Sequence, residues 1–359
     1  MTIHFVYAAL PGRSVLSRIQ YRLGILAQRI GVPVSLVRPR ASADTSNWAP
    51  RAPFTITSSV YNALKAKADI RLYDWTEQVL ITGGDRDILI GHPFPYGEDK
   101  TWNRSCREGT FAIRIAMLPL SHHMAEINGR FDPYIPMVDA VLGIMGPYWY
   151  DTWQESALGH WKEKIVPLDM AIDVSLFPRV KKRFNPPGRR KFFYIGGSGP
   201  QKGTHLLPIL FGLAKNQSCV WIGNGPAAPS VERRPWAVLD GAYLSRLAEE
   251  CDLFVTLGVS DANPTTILEC MAWGFPVCCT PQSGYYNMPE IAPMSITDMR
   301  HNREMLERMQ HAPEEQLMAQ ADAARRLVER RYTWETFNRT VIAGIEKASA
   351  SKGFDPWRA

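Results

Sequence analysis

The sequence lacks the cysteine patterns that stabilise small secreted proteins or bind structural zinc. Its 359 residues include six cysteines, and no two of them form a CxxC pair. Five of the six lie in apolar segments that predict strands or helices. Disulfide frameworks and zinc sites need cysteines at characteristic spacings, so this sequence predicts neither. We expect reduced, buried cysteines in a cytoplasmic protein.

Long apolar segments are also missing. No hydrophobic run reaches the roughly 20 residues that a transmembrane helix needs. The N-terminus has no basic region, and Ile3–Tyr7 predicts a first strand rather than a signal peptide. These features predict a cytoplasmic location, with peripheral contact at the inner face of a membrane left open.

Recognisable metal motifs are scarce. Asp85 and Asp87 form a DxD, but no second carboxylate lies nearby in the sequence. His122 and His123 are adjacent and show no zinc-ligand spacing. The sequence therefore predicts no metal site and no bound cofactor.

The composition is that of an ordinary globular protein. Hydrophobic residues make up 45% of the chain and charged residues 21%. A chain of this length predicts two domains, each able to bury a full core. The net charge of +6 suits an acidic partner, such as a nucleoside diphosphate or an anionic membrane. No nucleic-acid partner is predicted.

One stretch, Asp252–Pro276, carries the strongest functional pattern. Its apolar run Leu253–Leu257 predicts a buried strand. Asn263 is a favourable N-cap and Pro264 a favourable first residue for a helix over Thr265–Trp273. A glycine directly after this helix and a proline two positions later predict its end.

Two carboxylates lie in this stretch. Asp261 falls in the loop and Glu269 in the helix, eight residues later. The free amides and dipole of a helix N-terminus attract phosphate, so the two carboxylates could flank one phosphate-bearing ligand. An ordinary strand–helix unit of a doubly wound domain remains the alternative.

The segment from Glu269 to Pro276, ECMAWGFP, resembles the acidic signature of retaining GT-B glycosyltransferases of the glycogen synthase-like group, glycosyltransferase family four. Asp261 stands where that signature has its first glutamate. The resemblance implies that Glu269 holds the donor ribose and that Asp261 contacts the hydroxyls of the donor sugar. It also implies donor contacts for Asn263, Thr265 and Thr266. Proline at position 264 has no N–H, so one backbone donor of the family is missing.

A glycine-rich loop supports the same resemblance. Residues Gly196–Gly203, GGSGPQKG, follow the predicted strand Phe192–Ile195 and resemble the family's Gly-Arg-x-x-x-x-Lys-Gly loop. The resemblance assigns Lys202 to the donor diphosphate as a catalytic residue. It places Gly196, Gly197 and Ser198 beside the donor. Glycine at 197 replaces the family's arginine, so a bidentate phosphate clamp is absent.

Further candidates lie near other predicted strand ends. Gly225 belongs to a Gly-x-Gly-Pro segment that resembles the family's nucleotide-base region, while prolines 226 and 229 argue against a dinucleotide site. Gly12 and Arg13 resemble the family's first loop, over the donor phosphates; a plain turn is the alternative. His92 follows a predicted strand, where open α/β sheets bind ligands, and resembles a catalytic histidine of the family. A structural or solvated histidine is the alternative.

The predicted fold class is α/β, GT-B, with two Rossmann-like doubly wound domains facing a cleft. The predicted boundaries are 1–165 for the acceptor-side domain, 166–191 for the linker, 192–332 for the nucleotide-sugar domain and 333–359 for a helix that crosses back. The linker is basic from Arg179 to Lys191, a solvated surface by composition, with anionic lipid as a second interpretation.

The resemblance predicts a metal-independent enzyme that transfers a sugar, with retention, from a nucleoside-diphosphate sugar to a saccharide or lipid-linked acceptor in polysaccharide or glycoconjugate synthesis. Two other classes stay open. One is a non-catalytic sugar-nucleotide-binding protein of this fold, and the other is a nucleotide-sugar epimerase.

Overall fold

A computed structural model describes residues 1–8, 45, 52–214, 216–225 and 228–358. Gly12 and Arg13 lie outside these ranges. The described chain forms two parallel sheets, each with helices packed beside it.

The first sheet has the strand order β2-β1-β3-β4-β5-β6. Its strands are β1 (Thr2–Ala8), β2 (Asp69–Asp74), β3 (Gly83–Gly91), β4 (Thr110–Pro119), β5 (Ala140–Ile144) and β6 (Ile165–Leu168). The second sheet has the order β12-β11-β10-β7-β8-β9. Its strands are β7 (Phe192–Ile195), β8 (Cys219–Ile222), β9 (Val231–Arg234), β10 (Leu253–Thr256), β11 (Val277–Cys279) and β12 (Ile291–Pro293).

The central strands are apolar because helices cover both faces of a parallel sheet. Every residue of β5, β7, β8, β10 and β11 is buried. The helices that the structure describes are α1 (Phe54–Lys65), α2 (Thr101–Glu108), α3 (Ala125–Asn128), α4 (Pro147–Thr152), α5 (Leu206–Leu213), α6 (Gly241–Glu250), α7 (Thr265–Trp273), α8 (Met299–His311), α9 (Glu314–Arg331) and α10 (Trp334–Ala350).

Helix α1 forms from a segment with weak helix propensity. Its segment TITSS is rich in β-branched and hydroxyl residues, which are modest helix formers. Ile56, Val60 and Leu64 nevertheless form one buried stripe at helical spacing. Packing of this stripe overrides the local propensity.

The basic segment Arg179–Lys191 is only partly the solvated surface that its composition predicted, because two of its basic side chains are buried. Lys181 is 1% exposed, and its Nζ bonds Asp252 Oδ1 at 2.8 Å and the carbonyl of Cys251 at 2.9 Å. The Arg190 side chain is also buried and donates to backbone carbonyls near the end of α8. Both charges are thus committed to the second domain, because a buried charge needs partners.

Helix α10 returns to the first sheet. It packs against α1 and against β4, β5 and β6. The Thr333 hydroxyl caps it by accepting a hydrogen bond from the Thr336 amide at 3.3 Å. The buried face includes Phe337, Val341 and Ile345. The first domain is therefore built from two separate parts of the chain.

All six cysteines are buried and carry free thiols, as the sequence predicted for these side chains. Among the described helices, none combines the length and the apolar character needed to cross a membrane.

Candidate functional site

The second sheet has a topological switch point between β7 and β10. These strands are neighbours, while β8 and β11 lie on opposite sides of them. The loops that leave such a pair of strands diverge and form a crevice in which α/β proteins bind ligands. The loop after β7 contains Gly196–Gly203, and the loop after β10 contains Gly258–Asn263. The two loops singled out from the sequence therefore meet at one crevice.

An ion pair joins the two loops. Lys202 Nζ lies 2.5 Å from Asp261 Oδ2, and the two side chains are 29% and 16% exposed. Burial raises the pKa of the Asp261 carboxyl, and the charge of Lys202 opposes that rise. The sequence assigned these residues to different parts of a donor, whereas the structure places them in direct contact.

The glycine-rich loop is held closely against β10. Gly203 has φ 61°, and a Cβ there would lie 1.9 Å from the Leu257 carbonyl oxygen. Only glycine permits both the left-handed backbone and this close approach. The carbonyl of Gln201 then accepts hydrogen bonds from the amides of Val259 and Ser260, at 3.0 and 3.1 Å. These bonds fix the backbone on both sides of the Lys202–Asp261 pair.

Glu269 lies one turn into α7, on the face that carries Thr265, since positions i and i+4 share a helix face. Burial raises the pKa of the Glu269 carboxyl, and a side-chain hydrogen bond with Thr265 opposes the rise. In the part of the chain that the structure describes, no lysine or arginine contributes to this shift. A half-buried carboxylate that lacks a cation is a candidate for binding a ligand hydroxyl.

The start of α7 differs from the prediction. Pro264 is the N-cap residue, with ψ 129°, and the helix begins at Thr265. Asn263 does not cap the helix, because its Oδ1 accepts a hydrogen bond from the Met170 amide at 2.5 Å. Its buried Nδ2 has no hydrogen-bond partner among the described residues. The side chains of Thr265 and Thr266 are half-buried at the first turn.

The remaining donor-site candidates lie in the loops that follow β7 and β8. Gly196 donates its N–H to the Ile222 carbonyl at 3.1 Å, and Ser198 is exposed. A Cβ at Gly197 would meet only Asn224 Oδ1, at 3.5 Å, so a larger side chain has room to leave the backbone. Gly225 packs so closely on Trp221 that a Cβ would lie 1.9 Å from its ring.

His92 lies at the switch point of the first sheet, between β1 and β3. Its ring packs against Tyr7, Trp75 and Phe131. Burial lowers the pKa of His92 to about 4, so the ring is neutral at physiological pH. The ring contacts described for His92 all lie within the first domain, and none joins it to Asp261 or Lys202.

The DxD residue Asp87 has structural partners. Its Oδ1 accepts a hydrogen bond from the Thr2 amide at 2.7 Å, and its Oδ2 lies 3.3 Å from His4 Nε2. These contacts join the Asp87 side chain of β3 to β1.

The carboxyl ends of the two sheets face each other. The amide of Gly146, directly after β5, donates to the Ala262 carbonyl at 3.1 Å. His123, in the segment after β4, approaches the Val259 carbonyl with its Nδ1 at 2.9 Å. Because a carbonyl only accepts, Nδ1 carries the proton of His123. The loop that carries Asp261 is thus bordered by the first domain.

Sequence reasoning missed the residues that make this border. Ser121, His123 and Trp149 come within hydrogen-bond reach of Ser260, Val259 and Asp261 across more than 100 positions of sequence. The one sequence feature that could have indicated them was their position after strands. His122 and His123 follow β4, and the aromatic run YWYDTW follows β5. The histidine pair was recognised only as lacking a metal motif.

No protein-family model matches this sequence, and a search of functionally curated proteins finds no match.

Solved structures do match, at low sequence identity. HepE of Anabaena, in a complex with UDP and glucose, is 11% identical with a TM-score of 0.54, over 97% of this chain and 100% of that one. Sucrose-phosphate synthase from Thermosynechococcus elongatus is 13% identical with a TM-score of 0.56, over 98% and 99% of the two chains. TarM is 12% identical with a TM-score of 0.56 over 80% of this chain, which spans 57% of the TarM chain.

Identities this low establish architecture alone. Two parallel, doubly wound sheets whose carboxyl edges face each other are present in this chain, which matches the HepE and sucrose-phosphate synthase structures along nearly its full length. The chain therefore has the predicted GT-B fold.

Proposed function

We propose that this protein is a glycosyltransferase that uses a nucleoside-diphosphate sugar. The observation that carries the proposal is the crevice at the β7–β10 switch point. It combines a cation, Lys202, with the N-terminus of α7 and with a carboxylate, Glu269, that lacks a cationic partner in the described chain. A nucleotide sugar offers the matching groups, a diphosphate and ribose hydroxyls.

The leaving group is the first chemical problem of glycosyl transfer. When the glycosidic bond to the diphosphate breaks, negative charge develops on the diphosphate oxygens. Lys202 Nζ supplies a positive charge at the crevice. The first amides of α7, those of Thr265 and Thr266, lack intrahelical acceptors and add the positive end of the helix dipole. Preorganised charge of this kind lowers the barrier without a metal ion.

The sugar and the ribose are assigned to the carboxylates. We propose that Asp261 accepts hydrogen bonds from hydroxyls of the donor sugar and that Glu269 accepts them from the ribose. The contact between Lys202 and Asp261 suits this division, because in a nucleotide sugar the transferred sugar is bonded directly to the diphosphate. Asn263 Nδ2 is a further donor without a partner in the described chain. Retention of anomeric configuration is part of the proposal, on the resemblance of the acidic signature.

The acceptor belongs to the first domain in this proposal, as a saccharide or a lipid-linked saccharide.

Three exposed residues of the basic segment have no ion pair among the described residues: Lys182, Arg183 and Arg189. Peripheral binding to an anionic membrane would use these three. Sedimentation with phosphatidylserine vesicles, but not with phosphatidylcholine vesicles, is the expected result, and charge reversal at the three positions should abolish it.

A ligand screen followed by a product assay tests the function. Thermal stability is measured with UDP, GDP, ADP and their common glucose, galactose, mannose and N-acetylglucosamine derivatives. The expected result is stabilisation by one nucleotide family and release of its diphosphate only when an acceptor is added. Modification of the donor without an acceptor would identify an epimerase. Stabilisation without any turnover would favour a binding protein, the alternative that glycine at position 197 supports. No stabilisation by any nucleotide sugar would contradict all three.

Metal independence is a separate prediction. The site described above neutralises the leaving group with Lys202 and α7, so EDTA should leave turnover unchanged. Loss of activity on chelation, with recovery on adding manganese, would contradict this. Asp85→Asn and Asp87→Asn would then locate the metal.

A further inference from the structure

Five consecutive residues of the Asp261 loop each contact the first domain. The contacts are Ser121 Oγ to Ser260 Oγ at 2.5 Å, His123 Nδ1 to the Val259 carbonyl at 2.9 Å, Trp149 Nε1 to the Asp261 carbonyl at 3.1 Å, the Gly146 amide to the Ala262 carbonyl at 3.1 Å, and the Met170 amide to Asn263 Oδ1 at 2.5 Å. We call this row of hydrogen bonds the loop clamp. Its first-domain members all follow the carboxyl ends of β4, β5 and β6.

The other side of the same loop is held by the second domain. The amides of Val259 and Ser260 donate to the Gln201 carbonyl, next to Lys202. The amide of Asp261 donates to the Gln282 carbonyl at 3.0 Å. Three of the loop's amides therefore donate to the second domain, and four of its acceptor groups accept hydrogen bonds from the first. Separating the domains would remove five of these eight hydrogen bonds.

Trp149 makes the contact closest to the chemistry. Its side chain is 0% exposed, and its indole N–H donates to the backbone carbonyl of Asp261 itself. The rings of His122 and His123 pack edge to face against the indole at centroid distances of 5.0 and 4.9 Å. A buried ring packed in this way has one orientation, so it can fix the carbonyl that it bonds.

We propose that Trp149 is a positioning residue that holds Asp261 from across the domain interface, so that the donor-sugar site is complete only while the two domains are docked. The consequence for sugar binding rests on the proposed function. The fixing of the loop does not, since it depends on the clamp alone. Among the described residues, the indole N–H of Trp149 bonds only the Asp261 carbonyl and contacts neither Lys202 nor the first amides of α7, which form the proposed nucleoside diphosphate site.

The chain offers a matched control for Trp149. Trp153 is also 0% exposed and lies four residues along, and its indole N–H donates to the Leu158 carbonyl at 2.8 Å, inside the first domain. Trp149→Phe and Trp153→Phe each delete one buried indole N–H bond to a backbone carbonyl. Only the first deletion touches the Asp261 loop.

Amide hydrogen exchange of the full chain tests the positioning. Trp149→Phe should accelerate exchange at Val259, Ser260 and Asp261 by about two- to tenfold, the equivalent of one hydrogen bond. Trp153→Phe should leave these amides at wild-type rates. Ser121→Ala, which removes only a hydroxyl from the clamp, should act in the same direction as Trp149→Phe and covers the case that the tryptophan variant folds poorly. Wild-type exchange in this loop for both clamp variants would overturn the proposal.

Ligand affinity gives the second readout, with UDP and UDP-glucose as probes in calorimetry. Trp149→Phe should weaken UDP-glucose binding by about two- to tenfold and leave UDP binding within twofold of wild type. Equal weakening of both ligands would overturn the positioning of the sugar site. If wild type binds neither probe, the exchange experiment still decides the clamp, while the donor screen decides the proposed function.

Discussion

At the residue scale, the two carboxylates of the site have different surroundings. Asp261 has Lys202 within 2.5 Å, whereas Glu269 has only the Thr265 side chain and no cation in the described chain. Burial raises the pKa of both carboxyls. A buried charge without a partner destabilises the folded protein unless a ligand supplies a charge or hydrogen bonds that compensate for burial. Glu269 therefore favours ligand binding at the expense of stability.

Glu269→Gln separates these two effects. Because the folded-state pKa of Glu269 lies above its unfolded value of about 4.5, the folded state binds more protons between the two values. The contribution of this carboxyl to stability therefore decreases as pH rises through that window and stays unfavourable above it. The variant should melt at a higher temperature than wild type at pH 7 and show no such gain below pH 4.5. Donor affinity should fall about ten- to a hundredfold, the loss of charge-assisted hydrogen bonds.

Glu163→Gln is the control, since Glu163 is exposed on the first domain. It should change neither the melting temperature nor donor affinity. Differential scanning calorimetry and titration calorimetry make the two measurements. Unchanged donor affinity in Glu269→Gln would remove Glu269 from the donor site.

Lys202→Ala tests the leaving-group charge. Diphosphate charge grows in the transition state, so Lys202 should contribute more to turnover than to donor binding. We expect kcat to fall about 100- to 1,000-fold, in the range for removing one preorganised donor, with a much smaller change in donor affinity. Lys182→Ala removes an exposed lysine as the control. Equal losses in kcat and donor affinity would indicate that Lys202 binds the ground state only.

At the element scale, the sequence predicts elements whose determinants are local. Strand β7 and helix α7 have the predicted bounds, because the apolar run of β7 ends at a glycine and α7 ends at a glycine in the left-handed conformation, Gly274. Distant partners explain the failures. Asn263 does not cap α7, because the Met170 amide occupies its oxygen from another domain. The composition of its segment predicted that Lys181 is solvated. The side chain is instead buried beside Asp252, which lies 71 residues away in the sequence.

The candidate site shows the same difference between features that depend on local sequence and features that depend on distant partners. Lys202, Asp261 and Glu269 were recognisable because each sits in a short segment with its own glycines or helix. Their contact with one another follows from the order of β7 and β10, which a single sequence does not encode locally. The signal at Trp149 was only its position after a strand. Its role depends on how two sheets approach each other.

The end of α7 gives an element-scale prediction. Gly274 has φ 90°, and a Cβ there would lie 3.0 Å from the Lys181 carbonyl oxygen. Gly274→Ala should destabilise the protein by about 1–2 kcal/mol, the cost of a left-handed alanine. Gly241→Ala is the control, because a Cβ at the start of α6 has nothing within 4 Å. Thermal unfolding should show a lower midpoint for the first variant only. A midpoint equal to that of Gly241→Ala would mean that the helix end relaxes without strain.

At the scale of the whole molecule, the first domain depends on α10. That helix covers β4, β5 and β6, and its Gly344 lies so close to Leu142 that a Cβ would approach the Leu142 Cδ2 to 2.6 Å. The second sheet is formed entirely by residues between Phe192 and Pro293. The first domain therefore combines two distant parts of the chain, whereas the strands of the second sheet come from one continuous segment.

Deleting residues 333–359 should destabilise the first domain and leave the second domain folded. Removal of α10 uncovers the apolar face of the first sheet, which should lose amide protection, while β7, β8 and β10 should keep theirs. Hydrogen exchange of the deletion variant measures both in one experiment. Gly344→Val, which only crowds Leu142, should weaken the first domain in the same direction but less. Wild-type protection of β4 and β5 in the deletion variant would contradict the dependence.

The return of α10 also sets the order in which the molecule can form during translation. Residues 1–168 leave the ribosome first, but their sheet has an uncovered apolar face until residues 334–350 have been synthesised. The second domain can fold in the interval, since its strands are contiguous in sequence. The first domain would then complete its core beside a neighbour that is already folded. The nascent chain should accordingly bind chaperones through its first half, and that binding should end only after α10 emerges.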